Sequence, residues 1–139
     1  MIAQITSCLT FPPISKAIQA MVEEINTAFA HNKTEGFLAH CADTIDWTMV
    51  GHRSVNGKDQ VRAFIAEMEG PEPPQFSVER LLAAENWAVC YGEMSMKEDG
   101  KDAPYSFCDV YEFEGNLVAR LTTFIVKHLP DGETKEASA

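Results

Sequence analysis

The stretch FSVERLLAAENWAVCYGEMSMKEDGKDAPYSFCDVYEFEGNLVARLTTFIVKHL (76–129) decides the fold. It holds runs rich in β-branched and aromatic residues: FSVERLLAA (76–84), WAVCYGEMSM (87–96), PYSFCDVYEF (104–113) and LVARLTTFIVKHL (117–129). Such runs, bounded by polar turn residues, predict strands. Glu85-Asn86, Glu98 to Lys101 and Glu114-Gly115-Asn116 are short enough to join neighbouring strands directly. Residues 76–126 are therefore predicted to form an antiparallel meander.

Upstream of it the hydrophobic period changes. Ile14, Ile18, Met21, Val22, Ile25 and Phe29 fall on one face of a helix over 14–30, entered through Pro12-Pro13. Thr34 with Glu35 is expected to cap a shorter helix that buries Phe37, Leu38 and Cys41. TIDWTMV (44–50) predicts a strand, and Gly51 to Gly57 a polar loop. KDQVRAFIAEM (58–68) predicts a helix ended by Gly70-Pro71. The order is helix, helix, strand, helix, then four antiparallel strands. Helices over one face of a curved sheet leave a concavity where apolar inner residues meet.

The 139 residues suit one domain, here expected over 14–128, with an N-terminal extension (1–13) and a polar C-terminal tail (129–139). Apolar content of 45% and charged content of 23% are globular values, and no apolar run approaches the roughly 20 residues of a spanning helix. MIAQITSCLTFPP (1–13) carries no basic residue ahead of its apolar part, unlike a secretory leader, so a cytoplasmic location is expected. The net charge of −10 repels phosphate backbones and anionic lipid, which argues against nucleic-acid and membrane partners. Cys8, Cys41, Cys90 and Cys108 show no metal-ligand or redox spacing and are expected to be free thiols, so no metal or organic cofactor is expected.

CADTIDWTMVGHRSVNGKDQVRAF (41–64) and DVYEFEGNLVAR (109–120), in this element order, resemble the nuclear transport factor 2-like superfamily and its SnoaL-like branch. The resemblance spans roughly residues 14–128. It implies a cone-shaped, cystatin-like α+β fold, with three N-terminal helices covering the concave face of a curved antiparallel sheet. That superfamily includes ketosteroid isomerases, polyketide cyclases, scytalone dehydratase and limonene epoxide hydrolases, beside members that only bind or scaffold. Ketosteroid isomerases use a first-helix tyrosine, a general-base aspartate at the end of the first strand and a protonated aspartate on a later strand. Asp109 matches the last of these, whereas Thr48 stands at the base position and Ile25 at the tyrosine position.

Asp109 lies between Phe107 and Tyr111 on one strand face, continued by Phe113. Desolvation there would raise its pKa toward neutrality, as acid or base catalysis requires. Two turn registers remain, and each puts Arg120 on the face of Asp109: Gly115-Asn116 sets Asp109 opposite Thr122, and Glu114-Gly115 sets it opposite Arg120. A neighbouring guanidinium would instead keep the carboxylate ionised. Trp47, Thr48, Tyr91, Met94, Met96, Tyr105, Phe107, Tyr111, Thr122 and Phe124 are candidate pocket lining. His40 and His52 are expected at the surface, and Asp43 in a turn role. Asp46 is left open as a possible partner of Asp109. Cys108, Val110, Ala119, Leu121 and Ile125 make the other sheet face apolar as well, which predicts a homodimer through it.

The expected function is acid–base chemistry, of the isomerase, dehydratase, cyclase or epoxide hydrolase type, on a small apolar carbonyl-bearing or cyclic metabolite. The alternative is a non-catalytic ligand-binding or association domain of the same fold.

Overall fold

At Ser15 the side-chain oxygen accepts a hydrogen bond from the Ile18 backbone N–H at 3.2 Å, and this cap starts helix α1 (Lys16–Ala30). The computed structural model describes residues 15–129. The predicted entry at Pro12-Pro13, Ile14, Cys8, the extension over 1–13 and the tail past 129 lie outside the described residues. Helix α1 buries Ile18, Val22, Ile25 and Ala28, with Met21 and Phe29 packed at the edge of that stripe. Helix α2 (Thr34–Leu38) buries Phe37 and Leu38 as expected. Its cap differs from expectation: Lys33 holds the N-cap position with no side-chain bond, and the Thr34 hydroxyl donates to Glu69 instead. Thr34 thus sits one residue too far into the helix to cap it.

Strand β1 (Cys41–Met49) is followed by β2 (Arg53–Asn56), helix α3 (Lys58–Met68) and strands β3 (Gln75–Ala84), β4 (Trp87–Glu98), β5 (Lys101–Glu114) and β6 (Leu117–Lys127). The strands form one sheet in the order β2-β1-β6-β5-β4-β3. The meander β3 to β6 is antiparallel throughout, as predicted. Two features depart from the expected sheet. The loop after β1 contains an edge strand whose one buried residue, Val55, pairs with Trp47 and whose other residues are polar, so composition hid it. Strand β1 runs parallel to β6, which makes the sheet mixed. Helix α1 packs on β3 and β4 while α3 packs on β1 and β2, so the face toward the helices is the inner, buried one.

Both positive-φ residues of the Asp99-Gly100 turn (φ 53° and 80°) suit a tight hairpin between β4 and β5. Between β5 and β6, Glu114 pairs with Leu117 and Phe113 with Val118, as a Gly115-Asn116 turn requires. The register then slips: Glu112 pairs with Arg120, leaving Ala119 as the extra residue of a β-bulge. Beyond the bulge Tyr111 pairs with Leu121, Asp109 with Thr123 and Phe107 with Ile125. Leu121 is consequently buried to 1% exposure on the inner face, and Ile125 packs against the same core. Their predicted place on the outer face is corrected by this slip.

Gly92 sits where β3 crowds β4 at the bulge between Val78 and Arg80. A Cβ at that position would lie 1.9 Å from the Ser77 carbonyl oxygen and 3.0 Å from the Val78 Cα. Both are backbone atoms, so the strand itself would have to move. Gly92→Ala should lower stability by about 1–3 kcal/mol in urea unfolding, the usual cost of overpacking. Gly70→Ala, where nothing lies within 4 Å, is the control that should change little; equal stability of both variants would contradict the close approach.

Candidate functional site

A thread of polar side chains crosses the inner face through otherwise apolar packing. Cys90 of β4, Asp109 of β5, Thr123 of β6 and Met49 of β1 are successive cross-strand neighbours. The Trp47 indole Nε1–H donates to Thr123 Oγ1 at 2.9 Å, and the Thr123 hydroxyl donates to Asp109 Oδ1 at 2.7 Å. At the other end, Asn26 of α1 donates through Nδ2 to the Cys90 Sγ at 3.5 Å. Residues from five elements therefore meet around one carboxyl group. Thr123 is 4% exposed, and Asp109 is half-buried. Tyr111, one pair along β5, is fully buried, and its hydroxyl has no hydrogen-bond partner among the described residues.

Seven of the twelve predicted site residues share this face, Met96 among them, opposite buried Ala103. Phe107 is buried edge-on against Phe76, with ring centroids 6.0 Å apart, and Tyr111 stacks on Phe113. Trp47 is buried, Met94 is half-buried against the core, and Tyr105, also half-buried, donates to Glu98. With Asp109 these make the inner set. Arg120, Thr48, Thr122 and Phe124 do not join it. Arg120 pairs with Glu112 and Asp46 on the outer face, its Nε 3.9 Å from Glu112 Oε2. Thr48 shares a hydrogen bond with Ser54, Thr122 pairs with Val110, and Phe124 pairs with Cys108 at 41% exposure. Tyr91, another candidate for the lining, also lies on this outer side, opposite Cys108. The Ala119 bulge explains the β6 members, because one extra residue turns every later side chain over.

The same pairing removes Asp46 as a partner of Asp109. Asp43 is exposed and lies 3.7 Å from Lys58. His52 is exposed and His40 is half-buried, 3.0 Å from Glu24. Thr123, Asn26 and Cys90 escaped the sequence reading. The one signal available for Thr123 was the three-residue spacing of the apolar Val118 and Leu121, which a bulge makes compatible with a single face.

The sequence profile of the SnoaL-like domain matches residues 22–121. The chain belongs to the SnoaL-like family. Comparison with curated proteins gives no match. Among solved structures, this SnoaL-like chain is similar to a nuclear transport factor 2-like protein of unknown function from Cytophaga hutchinsonii, at 26% identity and a TM-score of 0.68, covering 78% of this chain and 99% of that one. It is also similar in fold to an LEH-like epoxide hydrolase from M. tuberculosis, at 14% identity and a TM-score of 0.70, covering 80% of this chain and 84% of that one. A third is TerC, co-crystallised with polyporic acid, at 12% identity and a TM-score of 0.69, covering 78% and 90%. The expected cone-shaped α+β fold is thereby established. No helix among the described residues is long and apolar enough to cross a membrane.

Two surface clefts among the described residues of this SnoaL-like domain lie away from Asp109. One lies between α1 and α2 beside Glu24, His31 and His40, and the other on the outer face beside Asp46, Glu112 and Arg120. Burial falls from Leu121 through Thr123 to half-buried Ile125 and exposed Lys127, and from Phe107 to Met94 and Tyr105.

Burial pushes the Asp109 carboxyl from 3.8 up to about 6, against the smaller opposing effect of the Thr123 hydrogen bond. The surrounding groups stay neutral: burial raises the Cys90 thiol to about 11 and the Cys41 thiol to about 12, and raises the Tyr111 phenol well above its usual value. A carboxyl whose folded pKa is raised holds its proton in the folded chain when the unfolded chain has lost it. Its stabilising effect is full below about pH 4 and is lost as pH rises to about 6. The cost above that window is at most roughly 3 kcal/mol. Asp109→Asn should therefore melt higher than the parent at pH 7.5 and close to it at pH 4. Melting at both pH values checks this, and a variant less stable at pH 7.5 would mean that a cation compensates the carboxylate.

Proposed function

We propose that this SnoaL-like chain binds a small, largely apolar molecule bearing a carbonyl or ring oxygen and moves a proton on it with Asp109. The observation that carries the reading is a carboxyl held at the inner end of an apolar face, raised toward neutrality by burial, whose cross-strand neighbours Cys90 and Thr123 are not basic. A group with a pKa near the working pH both gives and takes protons readily. Met94, Tyr105, Phe107 and Ile125 supply the apolar approach, and methionine adapts to varied shapes at low cost. Without Arg120 on this face, a permanently ionised Asp109 loses its support, and so does an epoxide-opening pair of Asp109 with Arg120.

The probe is α-proton exchange of cyclic ketones in D2O, followed by NMR. Wild-type protein should accelerate exchange near pH 6, and Asp109→Asn should lose at least about 100-fold of that acceleration, the lower range for a lost general acid–base. Ketone binding without exchange would favour a ligand-binding role for the same site. Neither binding nor exchange across the series would remove both.

We further propose that the outer face pairs with a second copy of the chain. Leu82, Val89 and Val110 are consecutive cross-strand neighbours, and Tyr91, Cys108 and Phe124 form the next row. Leu82 is 63% exposed, and Trp87 and Val126 extend the patch. Contiguous apolar surface of this kind is normally covered. Sedimentation at micromolar concentration should give twice the 15.4 kDa chain mass, and Val110→Asp should return the chain to monomer by placing an unpaired charge in a dry contact. A wild-type monomer would end this proposal.

A further inference from the structure

We infer that Trp47 and Thr123 are positioning residues that dedicate one oxygen of Asp109 to the fold and leave the other to carry and deliver the proton. The inference rests on Asp109 being the working acid of the site.

Its basis is the direction of the donor chain. An indole N–H only donates, so Thr123 Oγ1 must accept from Trp47 at 2.9 Å. The one hydrogen on Thr123 is then free for Asp109 Oδ1, 2.7 Å away. The reverse arrangement, with the acid proton on Oδ1, would aim two donors at Thr123 Oγ1. Its own hydrogen would then need another acceptor, and Thr123 Oγ1 has no other hydrogen-bond partner among the described residues. A buried donor without a partner is penalised, so the proton of neutral Asp109 belongs on Oδ2.

Packing holds the chain's origin still. The Trp47 ring lies 5.3 Å from Phe64, 5.8 Å from Phe37 and 6.3 Å from Phe29, contributed by three helices, and it also pairs across the sheet with Leu121. The indole cannot turn its N–H away without disturbing that cluster. Thr123 is held by its place in β6, where its carbonyl accepts from the Val50 N–H at 2.9 Å.

The titratable groups that feel the charge of Asp109 are the Cys90 thiol on β4, the adjacent Cys108 thiol and the Tyr111 phenol. From α1 Asn26 donates to Cys90, and from β1 Trp47 acts through Thr123. All three titratable groups keep their protons at neutral pH, so Asp109 is the member that titrates there. In the acid step the Oδ2–H bond breaks and a bond forms between that proton and the ligand oxygen. The electron pair stays on the carboxylate, whose Oδ1 still accepts from Thr123. Return of a proton from the ligand carbon or from water restores the acid.

The test needs no substrate. In the full chain, the Asp109 side-chain carbon and the Trp47 indole N–H are followed by NMR from pH 4 to 8, with Trp87→Phe used to assign the indole signals. In wild-type protein the Trp47 signal should titrate with the Asp109 midpoint, because Thr123 couples them. Thr123→Val, close in shape, should uncouple the Trp47 signal and raise the midpoint by about half a unit to one unit. Thr123→Ser should keep both coupling and midpoint, and Trp47→Phe should raise the midpoint less than Thr123→Val does. A Trp47 signal flat across the range, or an unchanged midpoint in Thr123→Val with Thr123→Ser folded, would overturn the inference. Intact coupling together with full ketone exchange by Asp109→Asn would overturn it through its premise alone, which separates failure of the relay from failure of the reading of Asp109.

Discussion

The extra residue carried by β6 at Ala119 governs what this sheet can do. A strand alternates its side chains strictly, so a single inserted residue exchanges the two faces for everything beyond it. Here the exchange sends Leu121 and Ile125 into the core and Arg120 out to solvent beside Glu112. It also brings the Thr123 hydroxyl against Asp109, where it touches both the carboxyl and the Trp47 indole. With the bulge absent, a guanidinium would share the inner face and the carboxyl would be a permanent anion. With it present, the carboxyl has one neutral donor for company and an elevated pKa.

Burying a carboxyl group in this way works against stability, and the surrounding structure offsets it by packing. The inner face is filled by Ile25, Val22, Phe37, Ile45, Tyr111, Phe113 and Leu121, all nearly inaccessible. Four aromatic rings, Phe29, Phe37, Trp47 and Phe64, cluster at the β1 side and fix the direction of the indole. That cluster is ordinary core by composition, yet it also aims a hydrogen bond at the polar thread. Packing and site chemistry are therefore carried by the same residues, which explains why Trp47 looks like core and like lining at once.

Family membership and chemistry separate at this point. In this SnoaL-like chain Asp109 stands on the inner face of β5. Ile25, expected at the tyrosine position of a ketosteroid isomerase, is fully buried, and Thr48, expected at the base position, bonds to Ser54 on the outer face. The polar groups that surround Asp109 in this chain are instead Thr123, Trp47, Cys90 and Asn26. A shared scaffold with a different set of partners is the usual condition of widely used folds, and it leaves the reaction to the site's own groups.

Hydrophobic period alone determined the helices α1 and α3 and the antiparallel meander, because burial of an amphipathic face is a local, repetitive property written residue by residue. It also determined that Asp109 shares a face with Phe107 and Tyr111, since the three lie on one unbroken strand. The edge strand β2 was not legible, because three of its four residues face solvent and carry polar side chains. The parallel pairing of β1 with β6 was not legible either, since no local pattern records which strand becomes a neighbour across some seventy intervening residues. The faces of β6 were lost for a sharper reason: Ala119 is small and neutral enough to sit inside a regular strand or to bulge from it. Only the packing of Val118 and Leu121 into one core decides that it bulges. The sequence by itself determined helices α1 and α3, the meander and the face on which Asp109 lies. Tertiary structure decided the company that carboxyl keeps, because side chains from different strands meet according to register, and register is settled by the core as a whole.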